Sequence, residues 1–87
     1  MSSFQKKIIK QYNDAGYLVI KHIRANKSGF PDIQAMKRGE VDLWIECKES
    51  GDTLKELQKL RIDQLIAIGK KAICLQDGKG QIYPVNQ

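Results

Sequence analysis

The feature that most constrains the fold of this chain is an apolar residue at every second position from Val41 to Cys47. Leucine, isoleucine and cysteine follow Val41 at every second position, and Asp42, Trp44 and Glu46 lie between them. Because successive side chains of a strand point to opposite sides, this period predicts a β-strand with one apolar side. Glu46 and Lys48 are then neighbours on its other side.

Residues 30–36 are expected to form the first strand of a hairpin, with the alternating segment as the second. Asp32 lies on the side of the first strand opposite to its apolar residues. With a turn near Lys37-Arg38-Gly39, Asp32 comes close to Glu46 and Lys48. Two carboxylates and an ammonium would then share one surface of the sheet.

The rest of the chain predicts two helices and three more strands. Apolar residues at helical spacing predict a helix over residues 3–15. Thr53-Leu54-Lys55-Glu56 has the sequence of a capping box, which predicts a second helix from Thr53 to about Ile68. Strands are expected over residues 17–23, 72–75 and 81–85. The order helix, three strands, helix, two strands predicts an α/β domain.

Gln5 allows two interpretations. Ser2 followed three residues later by Gln5 fits a capping box at the start of the first helix. Gln5 also lies on the helix side of Ile8 and Ile9, so its amide could instead point inward. The capping role is the preferred interpretation from the residues alone.

The second helix has an apolar arc of roughly 240°, which is wider than a helix needs to cover a sheet. The residues on this arc are Leu54, Leu57, Leu60, Ile62, Leu65, Ile66 and Ile68. The surplus predicts a second buried contact, most simply with a partner subunit in a homodimer.

The chain has 87 residues and a formal net charge of +5, and one small domain over residues 1–87 is expected. The early basic residues, with only Asp14 to offset them before Asp32, are Lys6, Lys7, Lys10, Lys21, Arg24 and Lys27. This clustering favours nucleic acid as a partner, with ordinary solubility as the alternative.

No long apolar run is present, and the first residues lack the apolar segment of a signal peptide. A cytoplasmic protein without a membrane span is therefore expected. Cys47 and Cys74 lie in apolar, strand-like segments and are predicted to be reduced, buried thiols. A disulfide or a metal pair stays open, although no CxxC motif or nearby histidine supports zinc.

Asp32 and Glu46 have the oxygen ligands that Mg²⁺ or Mn²⁺ prefers, and the backbone carbonyl of Cys47 is a plausible third ligand. Such an ion activates a water and offsets charge on a phosphate. Lys48 could position the water, help deprotonate it or stabilise the transition state. The alternative is an ordinary surface ion pair of Glu46 and Lys48, with Asp32 closing a turn.

The motifs Gly29-Phe30-Pro31-Asp32 and Ile45-Glu46-Cys47-Lys48, followed by Gln58 in the next helix, resemble those of the PD-(D/E)XK nucleases. Within that superfamily the chain is most similar to the VRR-NUC (virus-type replication-repair nuclease) domain in its minimal stand-alone form, and next to archaeal Holliday-junction resolvases. The resemblance covers nearly the whole chain. It implies a restriction-endonuclease-like core in the order α-β-β-β-α-β(-β), with a central mixed sheet flanked by helices. It also implies that the protein is located in the cytoplasm of a phage-infected or host cell.

The resemblance further implies a role for each matching residue. Asp32 and Glu46 match the metal-binding carboxylates, Lys48 the catalytic lysine, and Gln58 the glutamine that follows the active strand. Gln5 occupies a position in the first helix where relatives usually have a glutamate. An uncharged residue there implies a weaker second metal site or a mechanism with a single metal ion.

Several polar residues near the predicted site are candidate phosphate contacts. They are Lys27, Ser28, Lys37 and Arg38 in loops, and Arg61 on the inward side of the second helix. His22 is expected to be structural or a phosphate contact. Trp44 is expected to pack under a helix rather than to stack on a base.

These residues and the resemblance together predict an Mg²⁺- or Mn²⁺-dependent DNA endonuclease. No segment resembles a base-reading helix, so recognition of backbone and shape, as in four-way junctions, is expected. A homodimer would present two active sites to two strands. The alternatives are a non-enzymatic basic nucleic-acid-binding module and a small interaction protein that uses the apolar surface of its second helix.

Overall fold

A computed structural model describes residues 2–85 and confirms the predicted order of elements. The helices are α1 (Ser3–Asp14) and α2 (Glu56–Ala67), and the strands are β1 (Leu18–Lys21), β2 (Ile33–Met36), β3 (Leu43–Lys48), β4 (Lys71–Gln76) and β5 (Gly80–Tyr83). No helix in this part of the chain is long and apolar enough to cross a membrane.

The five strands form one mixed sheet in the order β1-β2-β3-β4-β5. The pairs β1–β2, β2–β3 and β4–β5 are antiparallel, and β3–β4 is parallel. A parallel pair needs a crossover connection, which α2 provides. The predicted turn between β2 and β3 is confirmed by a hydrogen bond from Glu40 N to Lys37 O (3.1 Å).

The core has two parts because the side chains of the central strand alternate between the faces of the sheet. On one face Ile45 packs with Ile33 and with Ile8 of α1. On the other face Trp44 packs against the cluster that contains Ile62 of α2. The predicted alternation is therefore confirmed from Leu43 to Cys47, as is the predicted packing of Trp44 under a helix. Val41 was predicted to begin this strand on its apolar side, but it precedes β3 and is exposed.

The helix α2 begins later than the sequence predicted. Thr53 is not its N-cap, because the first helical residue is Glu56 and Lys55 is the cap. Asp52 O accepts a hydrogen bond from a side chain of β4, and Leu54 is buried in the core. The segment before α2 is therefore anchored to β4 and to the core, and the helix starts only after that anchor.

The apolar surplus of α2 faces outward in the single chain. Ile62 and Leu65 are buried, whereas the remaining apolar residues of the segment are exposed. These exposed residues are Leu57, Leu60, Ile66 and Ile68. The sheet also has an uncovered apolar area at its edge, where Leu18 of β1 is 64% exposed.

The loop between β1 and β2 lies tightly against α2 at Gly29. This glycine has a φ of +88°, and a Cβ built on it would lie 2.8 Å from Cγ of Leu57. Any other residue would meet both the backbone strain of the left-handed region and this contact. Gly29 thus permits the loop that leads into Asp32 to approach the helix.

Candidate active site

The pairing of β2 with β3 brings the two predicted metal-binding carboxylates together. Ile33 is the ladder partner of Ile45, so Asp32 and Glu46 are opposite each other immediately beyond that pair. The backbone of Asp32 is also held from the other side, since His22 N donates to Asp32 O (2.6 Å). The start of β2 is therefore fixed between two strands.

Glu46 is a buried carboxyl group, with 8% of its surface exposed. Its pKa is raised to about 7, mainly by burial and also by the negative charge of Asp32, while the ammonium of Lys48 acts in the opposite direction. Asp32, Glu46 and Lys48 are therefore close enough to interact electrostatically. A raised carboxyl pKa next to a second carboxylate is typical of a site that binds a cation or performs proton transfer.

Lys48 lies at the end of β3, where Gln76 of β4 is its ladder partner. Gln76 is a buried amide whose Nε2 donates to Glu49 O (3.0 Å) and to Asp52 O (2.7 Å). It therefore ties the loop that follows Lys48 to the sheet. Gln76 is not among the residues predicted for the site, although a polar residue directly after the apolar run of residues 72–75 was a usable signal.

Gln5 points its side chain into the site. Its Nε2 donates to Asp32 Oδ2 (3.1 Å), and the hydroxyl of Ser2 accepts from its backbone N–H (3.1 Å). Ser2 is thus the N-cap as predicted. The preferred capping interpretation of the Gln5 side chain is wrong, because the half-buried carboxylate of Asp32 is a better partner than the exposed helix end.

Gln58 lies in the first turn of α2, where its Oε1 accepts from Lys55 N (2.9 Å). This bond satisfies one of the free N–H groups at the start of the helix. The amide of Gln58 therefore has a structural partner of its own. Its predicted role at the reaction centre stays a prediction.

The donor set fits a hard divalent cation with few protein ligands. Asp32 and Glu46 supply carboxylate oxygens, and the backbone carbonyl of Cys47 stays the predicted third ligand. Over residues 2–85, no group of three or more histidine, cysteine, aspartate or glutamate side chains is arranged to hold a metal ion. An ion bound by Asp32 and Glu46 would therefore keep several waters, as Mg²⁺ usually does.

Two of the predicted phosphate contacts have partners within the protein. Arg61 Nε donates to Ser28 O (2.9 Å), and its guanidinium lies 4.9 Å from the centroid of the Phe30 ring. Lys37 Nζ donates to Ala15 O (3.2 Å). Arg61 thus supports the loop before Asp32, while the exposed Lys27, Ser28 and Arg38 have no such restraint on their side chains among the described contacts.

His22 is part of a polar network on the α2 side of the sheet. Its Nε2 donates to Gln34 Oε1 (2.8 Å), and Gln34 Nε2 donates to Asp42 Oδ2 (2.7 Å). The imidazole is stacked on the Trp44 indole, with ring centroids 5.1 Å apart and an interplanar angle of 10°. These contacts fix the orientation of the ring at the end of β1.

Cys47 and Cys74 are both free thiols. They face opposite sides of the sheet, since Cys47 packs in the cluster under α1 and Cys74 in the cluster under α2. Burial raises the pKa of Cys74 to about 11 and that of Cys47 to about 12. Cys74 is buried as predicted, whereas Cys47 is only half-buried.

The mixed sheet, the helix on each face and the carboxylates at the end of the central hairpin define a restriction-endonuclease-like core. A solved structure described as a VRR_NUC domain superposes on this chain with a TM-score of 0.69 and 21% sequence identity, covering 80% of this chain and 76% of that one. The predicted VRR-NUC fold is thereby confirmed. Comparisons of the sequence with known protein families and with curated proteins gave no match.

Proposed function

We propose that this protein is a metal-dependent endonuclease that hydrolyses phosphodiester bonds in branched DNA. The observation that carries the proposal is Asp32 opposite the buried Glu46, with Lys48 two residues further along the same strand. Two like charges held partly out of water destabilise a fold. Such pairs are typical of sites that bind a cation or perform proton transfer. The likeness to a VRR_NUC domain supports the nuclease class.

Each residue of the site has a defined task in this proposal. Asp32 and Glu46, together with the Cys47 carbonyl, would hold one Mg²⁺ or Mn²⁺ ion. When bound, the ion supplies an acidic water and offsets charge on the reacting phosphate. Gln5 keeps the Asp32 carboxylate in one orientation through its hydrogen bond. Lys48 holds a positive charge beside the carboxylates, where it contacts the phosphate or the attacking water.

The positive charge of the chain supports DNA as the substrate. A net charge of +5 favours contacts with phosphates, which carry no sequence information. The exposed Lys27, Ser28 and Arg38 are the proposed backbone contacts. Recognition by backbone and shape suits a branched substrate such as a four-way junction.

The proposed active form is a symmetric homodimer. Leu60 and Ile68 are 48% and 72% exposed, and they belong to the part of the apolar arc that the sheet does not cover. Exposed apolar residues of this kind on a small domain favour self-association. Two copies related by a twofold axis would present two sites to the two strands of a junction.

The test is cleavage of labelled four-way junction, flap and linear DNA in Mg²⁺, in Mn²⁺ and in EDTA. We expect cleavage that requires the metal ion and is lost in Asp32→Ala, Glu46→Ala and Lys48→Ala, while binding is retained. Asp14→Ala is a matched control, because Asp14 is an exposed carboxylate that pairs only with Lys10 at the end of α1.

Binding of DNA without cleavage under every metal condition would contradict the proposal. That result would instead identify the protein as a non-enzymatic nucleic-acid-binding module. An equal loss of activity in the Asp14 control would show that the variants act through stability rather than through the site. Circular dichroism of each variant separates these outcomes.

A further inference from the structure

A cavity of about 650 Å³ opens next to the proposed metal site. Residues 21–25 form one wall, residues 27–32 form the other, and Trp44 and Leu65 close it from the sheet and from α2. Asp32 therefore belongs to both the cavity and the carboxylate pair. A ligand in this cavity lies beside any phosphate that the carboxylate pair engages.

The walls of the cavity combine aromatic rings with positive charge. His22 and Phe30 supply the rings, and Lys21, Arg24 and Lys27 supply the charge. Aromatic faces with basic side chains around them are the combination by which proteins bind unpaired nucleotides.

Both rings are held in place by other side chains. His22 is bonded to Gln34 and stacked on Trp44, and Phe30 lies under the guanidinium of Arg61. Arg61 is in turn bonded to the backbone of Ser28 in the opposite wall. The cavity is thus formed before a ligand enters, which lowers the cost of ordering on binding.

We propose that this cavity takes a single unpaired nucleotide of the cleaved strand, next to the scissile phosphate. A base stacked in a duplex has both faces covered by its neighbours, so a nucleotide that is already unpaired enters the cavity at the lowest cost. The inference rests on the proposed nuclease function and predicts that, among branched DNAs, those with an unpaired nucleotide at the cleavage point are preferred. A short flap or bulge has such a nucleotide, whereas a duplex or a four-way junction with every base paired must first release one.

The test compares two DNAs of equal length that contain 2-aminopurine, at one ionic strength and in EDTA. In one DNA the 2-aminopurine is an unpaired bulge, and in the other it is paired with thymine. Stacking of one base on an aromatic ring corresponds to roughly five- to 150-fold in affinity, so we expect the bulged DNA to bind more tightly by a factor in that range. Its fluorescence should also decrease on binding, because stacking quenches 2-aminopurine.

Two variants and one control locate the effect. Ala25→Trp fills the cavity from an exposed position in its wall, and should abolish both the preference for the bulge and the change in fluorescence. Arg24→Gln removes one exposed lining charge and should weaken binding of the bulged DNA several-fold more than binding of the paired DNA. Lys79→Gln makes a comparable change of charge in the turn between β4 and β5, at the other end of the sheet, and should leave the preference unchanged.

Equal affinity for the two DNAs, or an unchanged preference in both cavity variants, would overturn the inference. If Ala25→Trp does not fold, as judged by circular dichroism, Arg24→Gln decides. The measurement needs no cleavage, so a protein that prefers the bulge but cuts nothing in Mg²⁺ would refute the nuclease function alone. A protein that cuts paired and bulged DNA equally would refute the cavity alone.

Discussion

At the scale of single residues, the uncharged amide of Gln5 limits the negative charge of the site to the carboxylates of Asp32 and Glu46. It donates to Asp32 Oδ2 and orients this carboxylate without adding a third negative charge near Glu46. A glutamate at the same position would add a metal ligand but would repel its neighbours while no metal is bound. Metal affinity and stability of the metal-free protein are therefore coupled through this residue.

We expect Gln5→Glu to bind Mg²⁺ more tightly and to reach half-maximal cleavage at a several-fold lower Mg²⁺ concentration. In EDTA the same variant should be less stable by about 1–2 kcal/mol, because a hydrogen bond to a charged group is replaced by repulsion. Isothermal titration with Mg²⁺ and urea unfolding in EDTA measure the two effects.

Gln5→Ala is the control for this pair of effects, because it removes the hydrogen bond without adding a charge. It should lose stability without gaining metal affinity. If Gln5→Glu changes neither the Mg²⁺ affinity nor the rate, Gln5 does not contribute to the metal site.

At the scale of elements, the strands were predictable where their pattern is local. The alternation around Ile45 correctly predicted the two faces of β3, and the turn near Gly39 correctly predicted the hairpin of β2 and β3. The late start of α2 was not predictable, because Leu54 is buried by residues distant in sequence and Asp52 O is held by Gln76.

The contacts of the candidate site also fall into two groups, those that local sequence patterns predict and those that depend on tertiary packing. Asp32 and Glu46 could be placed opposite each other from the period of two and one turn. The bond from Gln5 to Asp32 joins a helix to a strand 27 residues later, so it depends on how α1 packs on the sheet. The sequence allowed the Gln5 side chain either to cap α1 or to point inward. The capping-box pattern favoured the cap, whereas the side chain points inward to Asp32.

The loop that follows β3 depends on Gln76 of β4. Gln76→Ala removes two hydrogen bonds to the backbone of Glu49 and Asp52, which should cost about 1–3 kcal/mol of unfolding free energy. The loop after Lys48 should then become mobile, and the cleavage rate should fall more than the affinity for DNA. Urea unfolding and single-turnover cleavage measure these changes.

Gln81→Ala is a suitable control, because its amide makes one exposed bond to Pro84 O at the end of the sheet. It should change stability by less than about 0.5 kcal/mol. An unaltered cleavage rate in a folded Gln76→Ala protein would show that this clamp does not position Lys48.

At the scale of the whole molecule, the exposed apolar residues of α2 predict an assembly. We expect sedimentation equilibrium to give twice the mass of the 87-residue chain at micromolar concentration. Leu60→Lys should shift the protein to a monomer, because a charge in an apolar interface is left without a partner. Lys55→Leu, a change of opposite sign at the exposed helix start, serves as the control and should not dissociate it.

A monomer at every concentration would contradict this prediction. It would leave the exposed residues of α2 without a self-association role, and junction cleavage would then need two independent binding events. The cleavage assay would distinguish these cases, because a dimer cuts both strands within the lifetime of one complex.

The strand order has a consequence for how the chain reaches its folded state. Every neighbouring pair of strands is also consecutive in the chain, and only β3–β4 must close over an intervening helix. Pairing between nearby residues loses little loop entropy, so the meander of β1, β2 and β3 is expected to form early and the parallel pair late. Asp32 and Glu46 lie on the early part, and Gln76 arrives with the late part. The carboxylates would therefore meet during folding while they are still hydrated, and their desolvation would be postponed until α2 and β4 dock.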